Sequence, residues 1–144
     1  MSRLVKFLIG LVAALLTGWL AHGPIGHGEA LVGRLEAEAR SAVAATEVPG
    51  IEVRLGRDPL TRAATLSGPA DPFQREGQGE LQGLNDIVAG IDGISTIGWA
   101  DQGGPGRRLP LLAEAELAVL IAYLLGLGLA KLLFGRRQKE SYLD

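Results

Sequence analysis

The sequence predicts a small α+β domain with a membrane-spanning helix at each end. Residues 1–22 and 110–135 are dominated by Leu, Ala, Ile and Val, and their charged side chains are confined to the ends of each stretch. Between them, in residues 28–101, apolar side chains recur every four residues in some segments and every two in others. These two periods are typical of amphipathic helices and half-buried strands.

The first apolar stretch, Phe7 to Ala21, has no charged side chain and suits a helix that remains in the membrane. The competing interpretation is a cleavable secretory signal, because a basic start and a short apolar segment suit both. Cleavage after Ala21 would put the bulky Trp19 three residues before the cut, where signals carry small side chains. Cleavage after Gly23 would leave Pro24 at the new N-terminus. We therefore favour a retained anchor.

The second apolar stretch begins at Pro110, which suits a first helical turn. Leu117 to Ala130 has no charged side chain, and Lys131 can extend its amine toward the headgroups while the helix continues to about residue 135. The alternative is a buried helix of a soluble protein. Such a helix would normally show a polar face, and Tyr123 is the one polar side chain in the segment. A membrane span is therefore the favoured interpretation.

Two acidic residues, Glu114 and Glu116, lie in the first turns of this second span. Carboxylates at a helix N-terminus interact favourably with the helix dipole, so we interpret the pair as an interfacial cap. The alternative is a proton or ion path, since acidic side chains inside membrane helices often mark one.

The basic residues indicate the orientation of the two spans. They lie on the outer ends of the chain, before the first span and in a tail over residues 136–144. The positive-inside rule then puts both termini in the cytoplasm and the middle domain on the far side. For a Gram-negative bacterium this means an inner-membrane protein with a periplasmic domain. The residues concerned are Arg3, Lys6, Lys131, Arg136, Arg137 and Lys139.

Both predicted spans carry small residues at four-residue spacing, which lets helix backbones approach closely in lipid. We expect these stripes to pack against a helix of the same chain, a second copy or a partner membrane protein. The first stripe is Gly10, Ala14 and Gly18, and the second is Ala118, Ala122, Gly126 and Ala130.

Five elements are expected in the middle domain, in the order αββαβ. The first is an amphipathic helix with one apolar stripe, and the charged Glu36 lies off that stripe. Two helices can cover one face of a three-stranded sheet, which is a common two-layer arrangement. The stripe consists of Leu31, Leu35, Ala39 and Val43. The expected bounds are 29–47 for the first helix, 51–55 and 61–67 for a strand hairpin, 72–91 for the second helix and 94–100 for the last strand.

The second predicted helix has the clearest start signal and the weakest interior. Asp71 suits its N-cap and Pro72 its first position. Glycines at 77, 79 and 83 weaken the first half, since each costs up to about 1 kcal/mol relative to alanine. A linker rich in Gly and Pro, residues 102–109, follows the last strand.

Three short motifs resemble the BON domain family, over about residues 28–101. They are Gly50-Ile51-Glu52-Val53, then Ala64-Thr65-Leu66-Ser67-Gly68, and Ile91-Asp92-Gly93-Ile94-Ser95-Thr96-Ile97. The resemblance implies the same αββαβ order. It also implies a role in attachment to phospholipid or to the cell envelope, since BON domains occur in bacterial envelope proteins. The longer turn at 56–61 and the Gly-rich start of the second helix depart from the family pattern.

Composition argues against several kinds of function. The chain has no cysteine, which excludes disulfides and thiolate chemistry. Residues 22–110 carry 12 acidic and 8 basic side chains, a net charge of −4, so we expect no nucleic-acid partner. The sequence shows no evident arrangement of a catalytic nucleophile with a base. We therefore expect that the chain is not an enzyme and binds no cofactor. His22 and His27 flank Pro24 without the carboxylates or thiolates of a metal site, so no metal is expected.

Three arginines near the predicted hairpin, Arg54, Arg57 and Arg62, are candidates for contact with lipid headgroups, because guanidinium groups bind phosphates bidentately. The alternative is a solvated sheet edge, since Glu52 and Asp58 dilute the charge. The sequence thus indicates a non-enzymatic, membrane-anchored envelope protein whose domain contacts phospholipid, envelope polymer or a partner protein. The alternative is an accessory or assembly subunit of a larger inner-membrane complex.

Overall fold

The computed structural model describes residues 2–106 and 108–134, so the predicted basic tail at 136–144 lies outside the described residues. The helices are α1 Arg3–His22, α2 His27–Ala44, α3 Pro72–Glu76, α4 Leu84–Ala89 and α5 Leu111–Phe134. The strands are β1 Glu52–Arg57, β2 Leu60–Ser67, β3 Gly77–Gln78, β4 Leu81–Gln82 and β5 Thr96–Trp99, and a 3₁₀ turn covers Ala100–Gln102.

The main sheet has three strands in the order β1-β2-β5. β1 pairs with β2 antiparallel, with Val53 opposite Leu66, and β2 pairs with β5 parallel, with Leu66 opposite Trp99. β2 is therefore the central strand, and β1 and β5 form the two edges. The predicted α+β class with a small three-stranded sheet is confirmed.

The hydrophobic core lies between one face of this sheet and helices α2 and α4. Side chains two residues apart on a strand share a face, so the alternating apolar positions of all three strands meet the helices. The stripe predicted on α2 is buried at Leu35, Ala39 and Val43, and Leu31 packs against the core at its edge. The largest fully buried side chains are Leu35, Leu66, Leu84, Val32, Val53 and Val88.

The predicted single helix over 72–91 is wrong, because the chain forms two short helices there, α3 and α4, joined by the small β3–β4 hairpin. Gly77 has φ +78°, which ends α3 in a conformation that glycine adopts without a steric cost. A side chain at Gly83 would overlap the backbone of Gly77 and Glu76. The glycines thus close a tight turn that a continuous helix could not accommodate.

The other element bounds shift by a few residues. α2 ends at Ala44, where the prediction extended to Glu47, and Glu47 has a positive φ of 59°. β1 continues through Gly56 to Arg57 with a register shift, although a turn was predicted from Gly56 onward. β5 is limited to Thr96–Trp99. After β5, the chain crosses the other face of the sheet so closely that a side chain at Gly98 would overlap Pro105.

Helices α1 and α5 are both long and apolar enough to cross a membrane, by length and composition. They pack against each other in opposite directions, since Gly10 lies against Tyr123 while Gly18 lies against Glu116. None of the residues in their most apolar windows is buried within the structure. A core helix of a soluble protein would be mostly buried, so this exposure favours the membrane interpretation of α5.

An alanine substitution at Gly83 tests the role of the glycines at the β3–β4 hairpin. We expect Gly83→Ala to lower the free energy of unfolding by about 1–3 kcal/mol, because the new Cβ overlaps backbone atoms that cannot move independently. Gly33→Ala is the matched control. Nothing lies within 4 Å of the added Cβ there, and alanine raises helix propensity, so stability should rise by up to about 1 kcal/mol. Chemical denaturation of the full chain in detergent measures both, and an unchanged Gly83→Ala variant would contradict the packing described.

Candidate functional site

Each of the three candidate lipid-binding arginines is paired with a carboxylate. Arg54 is highly exposed and lies 3.0 Å from Glu52 on the same strand. Arg57 is half-exposed and donates to Glu36 at 3.3 Å. Arg62, the least exposed of the three, contacts α5. The three side chains therefore serve different local partners, and Arg54 keeps the most contact with solvent.

Arg62 connects the sheet to the second apolar helix. Its Nε donates to Oε2 of Glu114 at 2.6 Å, and its Nη1 donates to the carbonyl oxygen of Gly93 at 2.8 Å. The two charged side chains are 30% and 20% exposed, so solvent screens their attraction only in part. Charge-assisted hydrogen bonds of this kind are worth about 1.5–3 kcal/mol when well buried. Arg62 thus holds together β2, the loop before β5 and the first turn of α5.

The first residue of α5 belongs to the core of the domain. Leu111 is 7% exposed and lies in the same buried cluster as Leu35 and Leu66. A fully buried leucine contributes about 1.5–3 kcal/mol relative to an exposed one. The junction of Arg62, Glu114, Gly93 and Leu111 therefore combines an ion pair with apolar burial. It fixes the α+β domain directly on the end of α5.

Glu36 is buried, although the sequence put it off the apolar stripe. It is 7% exposed, and its carboxylate accepts hydrogen bonds from the backbone N–H of Leu55 at 3.1 Å and from Arg57 and Arg40. Burial alone would raise the pKa of Glu36. The Leu55 N–H, Arg40 and Arg57 together outweigh it, so the pKa lies below its usual value.

This carboxylate also covers the free edge of the sheet. β1 is an edge strand, whose outward backbone groups can pair with another chain. Glu36 takes the N–H of Leu55, and Nε of Arg40 donates to the carbonyl oxygen of Val53 at 3.2 Å. Two side chains of α2 thus occupy the outward groups at the middle of β1. The arrangement protects the edge from pairing with a second molecule.

A second polar cluster connects α3, α4 and β5. The guanidinium of Arg75 lies 4.0 Å from the ring centre of Trp99, which is a cation–π contact. Arg75 also pairs with Asp101 at 2.9 Å, and this hydrogen bond lowers the pKa of Asp101. The indole N–H of Trp99 donates to Asn85 at 2.8 Å. These contacts join α3 and α4 to the end of β5, and no local sequence pattern predicted them.

The small residues of α1 lie on its contact with α5. Gly10 and Gly18 each face a larger side chain of α5, and Ala14 is half-buried on the same face. The hydroxyl of Tyr123 donates to the carbonyl oxygen of Phe7 at 2.8 Å, and the two rings are 5.6 Å apart. A side chain at Gly10 would come within 2.6 Å of that hydroxyl. Glycine at this position therefore permits the contact.

The small residues of α5 have a different environment. All four are exposed, on a surface that α1 does not cover, and nothing in the structure lies within 4 Å of a Cβ added at Gly126. They are Ala118, Ala122, Gly126 and Ala130. The structure thus brings together the first stripe and α5, and it leaves the second stripe open.

The two histidines lie where α1 meets α2. The ring of His22 packs against the backbone at Gly28, and a Cβ there would come within 2.7 Å of Nδ1. Both histidines line a cavity of about 280 Å³ whose other walls are mostly apolar. Within residues 2–106 and 108–134, no group of three or more His, Asp or Glu side chains is arranged to hold a metal ion.

Replacing Glu36 tests both its pairing and its pH dependence. We expect Glu36→Gln to lower the free energy of unfolding by about 1–3 kcal/mol at neutral pH, because the buried Leu55 N–H and the half-exposed Arg57 lose a charged acceptor. The pKa of Glu36 is lower in the folded than in the unfolded chain, so its contribution is present above the unfolded value. It is lost as the pH falls through the folded value, and the two proteins should converge in acid.

Glu38→Gln is the matched control, since Glu38 is an exposed carboxylate on the same helix. Its effect should stay within about 0.5 kcal/mol at every pH. Denaturant titrations of the full chain from neutral pH into acid measure all three proteins. A difference between Glu36→Gln and the wild type that persists unchanged in acid would contradict the assignment.

Comparison with known proteins gives no family for the chain, because no protein-family model, curated protein or solved structure matches it. The BON resemblance therefore depends on its short motifs alone. Two of the motif glycines have physical roles in the fold. Gly68 has φ +133° and lies against the carbonyl of Gly50, and Gly93 has φ +107° and approaches the side chain of Leu35.

Proposed function

We propose that the chain is a non-enzymatic, membrane-anchored envelope protein. Its α1–α5 pair crosses the inner membrane, and its BON-like α+β domain is held against the outer surface. There the domain contacts phospholipid, envelope polymer or a partner protein. The observation that carries the proposal is the junction of Arg62, Glu114, Gly93 and Leu111, which fixes the domain on the end of an apolar helix.

Packing between the helices supports a retained first span. α1 contacts α5 along most of its length, through Phe7 and Gly10 near one end and Gly18 near the other. The hydrogen bond from Tyr123 to the carbonyl of Phe7 adds a specific contact. A cleaved signal would leave this face of α5 uncovered. The proposal therefore keeps residues 1–22 in the mature protein.

The position of the charges supports the orientation. Because α1 and α5 are antiparallel, Arg3, Lys6 and Lys131 lie at the end of the helix pair that is far from the domain. Basic residues favour the cytoplasmic side of a bacterial membrane. The domain then lies outside the cytoplasm.

The junction also indicates which part of the domain faces the membrane. Arg62 in β2 contacts the first turn of α5, so the β1–β2 hairpin end lies toward the membrane, with Arg57 and Asp58 at its tip. Arg57 stays half-exposed beside its partner Glu36, and it is the candidate for contact with lipid phosphate at this end. The α3 and β3–β4 segment lies at the opposite end and is free to meet polymer or protein.

The proposed orientation can be tested with single cysteines, since the chain has none of its own. In spheroplasts, we expect a membrane-impermeant maleimide to label Ser41→Cys on the domain. Ser2→Cys, at the start of α1, should be labelled only after lysis. The cysteine-free parent is the control. Labelling of Ser2→Cys from outside, or its loss from the membrane fraction by cleavage, would contradict the proposal.

The exposed stripe on α5 favours a second candidate function, as an accessory or assembly subunit of a larger inner-membrane complex. Four small residues in a row leave room for the close approach of another helix. Under this alternative, purification in mild detergent would retain a second membrane protein in fixed ratio. A monodisperse single chain would count against it.

A further inference from the structure

Glu116 has an unusual environment among the acidic side chains. Both of its carboxyl oxygens are buried, and neither has a hydrogen-bond partner among the described residues. The carboxyl group lies on the backbone of Gly18 in α1, where an added Cβ would come within 2.7 Å of Oε1. The residue is five positions beyond Leu111, about 8 Å along α5, within the apolar helix.

The fold provides donors for its other buried or half-buried carboxylates. Glu114, one half-turn earlier, is held by Arg62, and Glu36 receives three donors. Among residues 2–106 and 108–134, Glu116 is the one carboxyl group that is buried without a donor. A carboxyl group in apolar surroundings without a donor costs several kcal/mol. A donor from outside the described residues would offset this cost.

An apolar groove leads to Glu116 from the lipid side. Its volume is about 420 Å³, and its walls are Val12, Leu15, Leu16, Trp19, Leu112 and Glu116 itself. Val12, Leu16 and Trp19 are each about half exposed, so the groove opens sideways from the helix pair. Glu116 is the one charged side chain that lines this groove, and its carboxyl group lies at the contact between α1 and α5.

The shape of the surface favours a helix as the occupant. The groove continues onto an exposed apolar patch of α1, which consists of Leu8, Ile9, Val12, Ala13 and Leu16 and shares Val12 and Leu16 with the groove. Together they extend from Leu8 to Trp19, about 17 Å or three helical turns. Within lipid, only a helix or a closed barrel satisfies its own backbone. A lipid headgroup would fill only the end of such a track.

We propose that this groove binds a membrane-spanning helix of another protein that carries a single lysine or arginine at the depth of Glu116. The basic group supplies the donors that the carboxylate lacks, and the apolar side chains of that helix fill the track along α1. Charged side chains inside membranes usually pair with one another in this way. The inference rests on the proposed insertion of α1 and α5 in the membrane.

Designed peptides test the binding directly. The full chain, labelled with a donor dye at Glu29→Cys, is reconstituted in phosphatidylcholine vesicles with a leucine-rich spanning peptide that carries an acceptor dye. One peptide has a single lysine at the depth of Glu116, a second has leucine there and a third has glutamate. We expect the lysine peptide to bind at least about tenfold more tightly than the other two, which corresponds to about 1.4 kcal/mol.

Substitutions at Glu116 test whether its carboxyl group causes the preference for the lysine peptide. Glu116→Gln should abolish the preference for the lysine peptide, whereas Glu38→Gln, which removes an exposed acid of α2, should retain it. Glu116→Lys should reverse the preference toward the glutamate peptide. This reversal also shows that the helix pair has kept its structure, since a misfolded pair would bind neither peptide selectively.

Several outcomes would overturn the proposal. Equal binding of the three peptides would do so, provided that resistance to alkaline extraction shows the chain to be inserted. Failure of insertion would instead overturn the proposed function. Energy transfer between two labelled copies that Glu116→Gln removes would assign the groove to self-association. Competition by phosphatidylethanolamine with the lysine peptide would assign it to a lipid amine.

Discussion

The ion pair between Arg62 and Glu114, together with the burial of Leu111, is the contact on which the rest of the structure depends. A domain of about eighty residues buries a low fraction of its surface and has little core to spare. Here the core is completed by the first residue of an apolar helix, ten positions beyond the predicted end of the domain at residue 101. The domain and the helix pair are therefore one structural unit, and the domain cannot turn freely on a linker.

The acidic side chains that have arginine partners differ in their role from Glu116, which lacks one among the described residues. Glu36, Asp101 and Glu114 each have an arginine partner, and each stabilises a specific contact between elements. Glu36 in addition covers the edge strand, which would otherwise be open to pairing with another chain. Glu116 has no such partner among the described residues and lies between the two long apolar helices. This contrast, and not the mere presence of a carboxylate, is the basis of the proposed external ligand at Glu116.

Much of the fold could be predicted from periodicity, because each element has one apolar face. The stripe through Leu35, Ala39 and Val43 is buried as expected, and the alternation in Val53 and Leu55 gives a strand. The broken second helix could not be predicted so easily. It depends on the close approach of Gly77 and Gly83, a contact that exists only after the hairpin has formed. The low helix propensity of the glycines indicated where the predicted helix would break, but it did not indicate that a hairpin forms there.

The site was harder to predict than the fold. The sequence singled out Arg54, Arg57 and Arg62, but it could not give the partners of Arg57 and Arg62, which are 21 and 52 residues away. Glu36 was expected to lie off the buried stripe, since a charged side chain normally avoids the core. Its burial depends on the Leu55 N–H and on two arginines. Long-range pairs of this kind have no signal in the local sequence pattern.

A double-mutant cycle between Arg62 and Glu114 tests most directly whether the domain and α5 form one unit. Arg62→Gln, Glu114→Gln and the double variant are unfolded by denaturant as full chains in detergent, and the unfolding of the domain is followed. If the contact between Arg62 and Glu114 joins the domain to α5, the coupling free energy between the two substitutions should be about 1 kcal/mol or more. Additive effects, within about 0.3 kcal/mol, would show that the domain does not depend on its contact with α5.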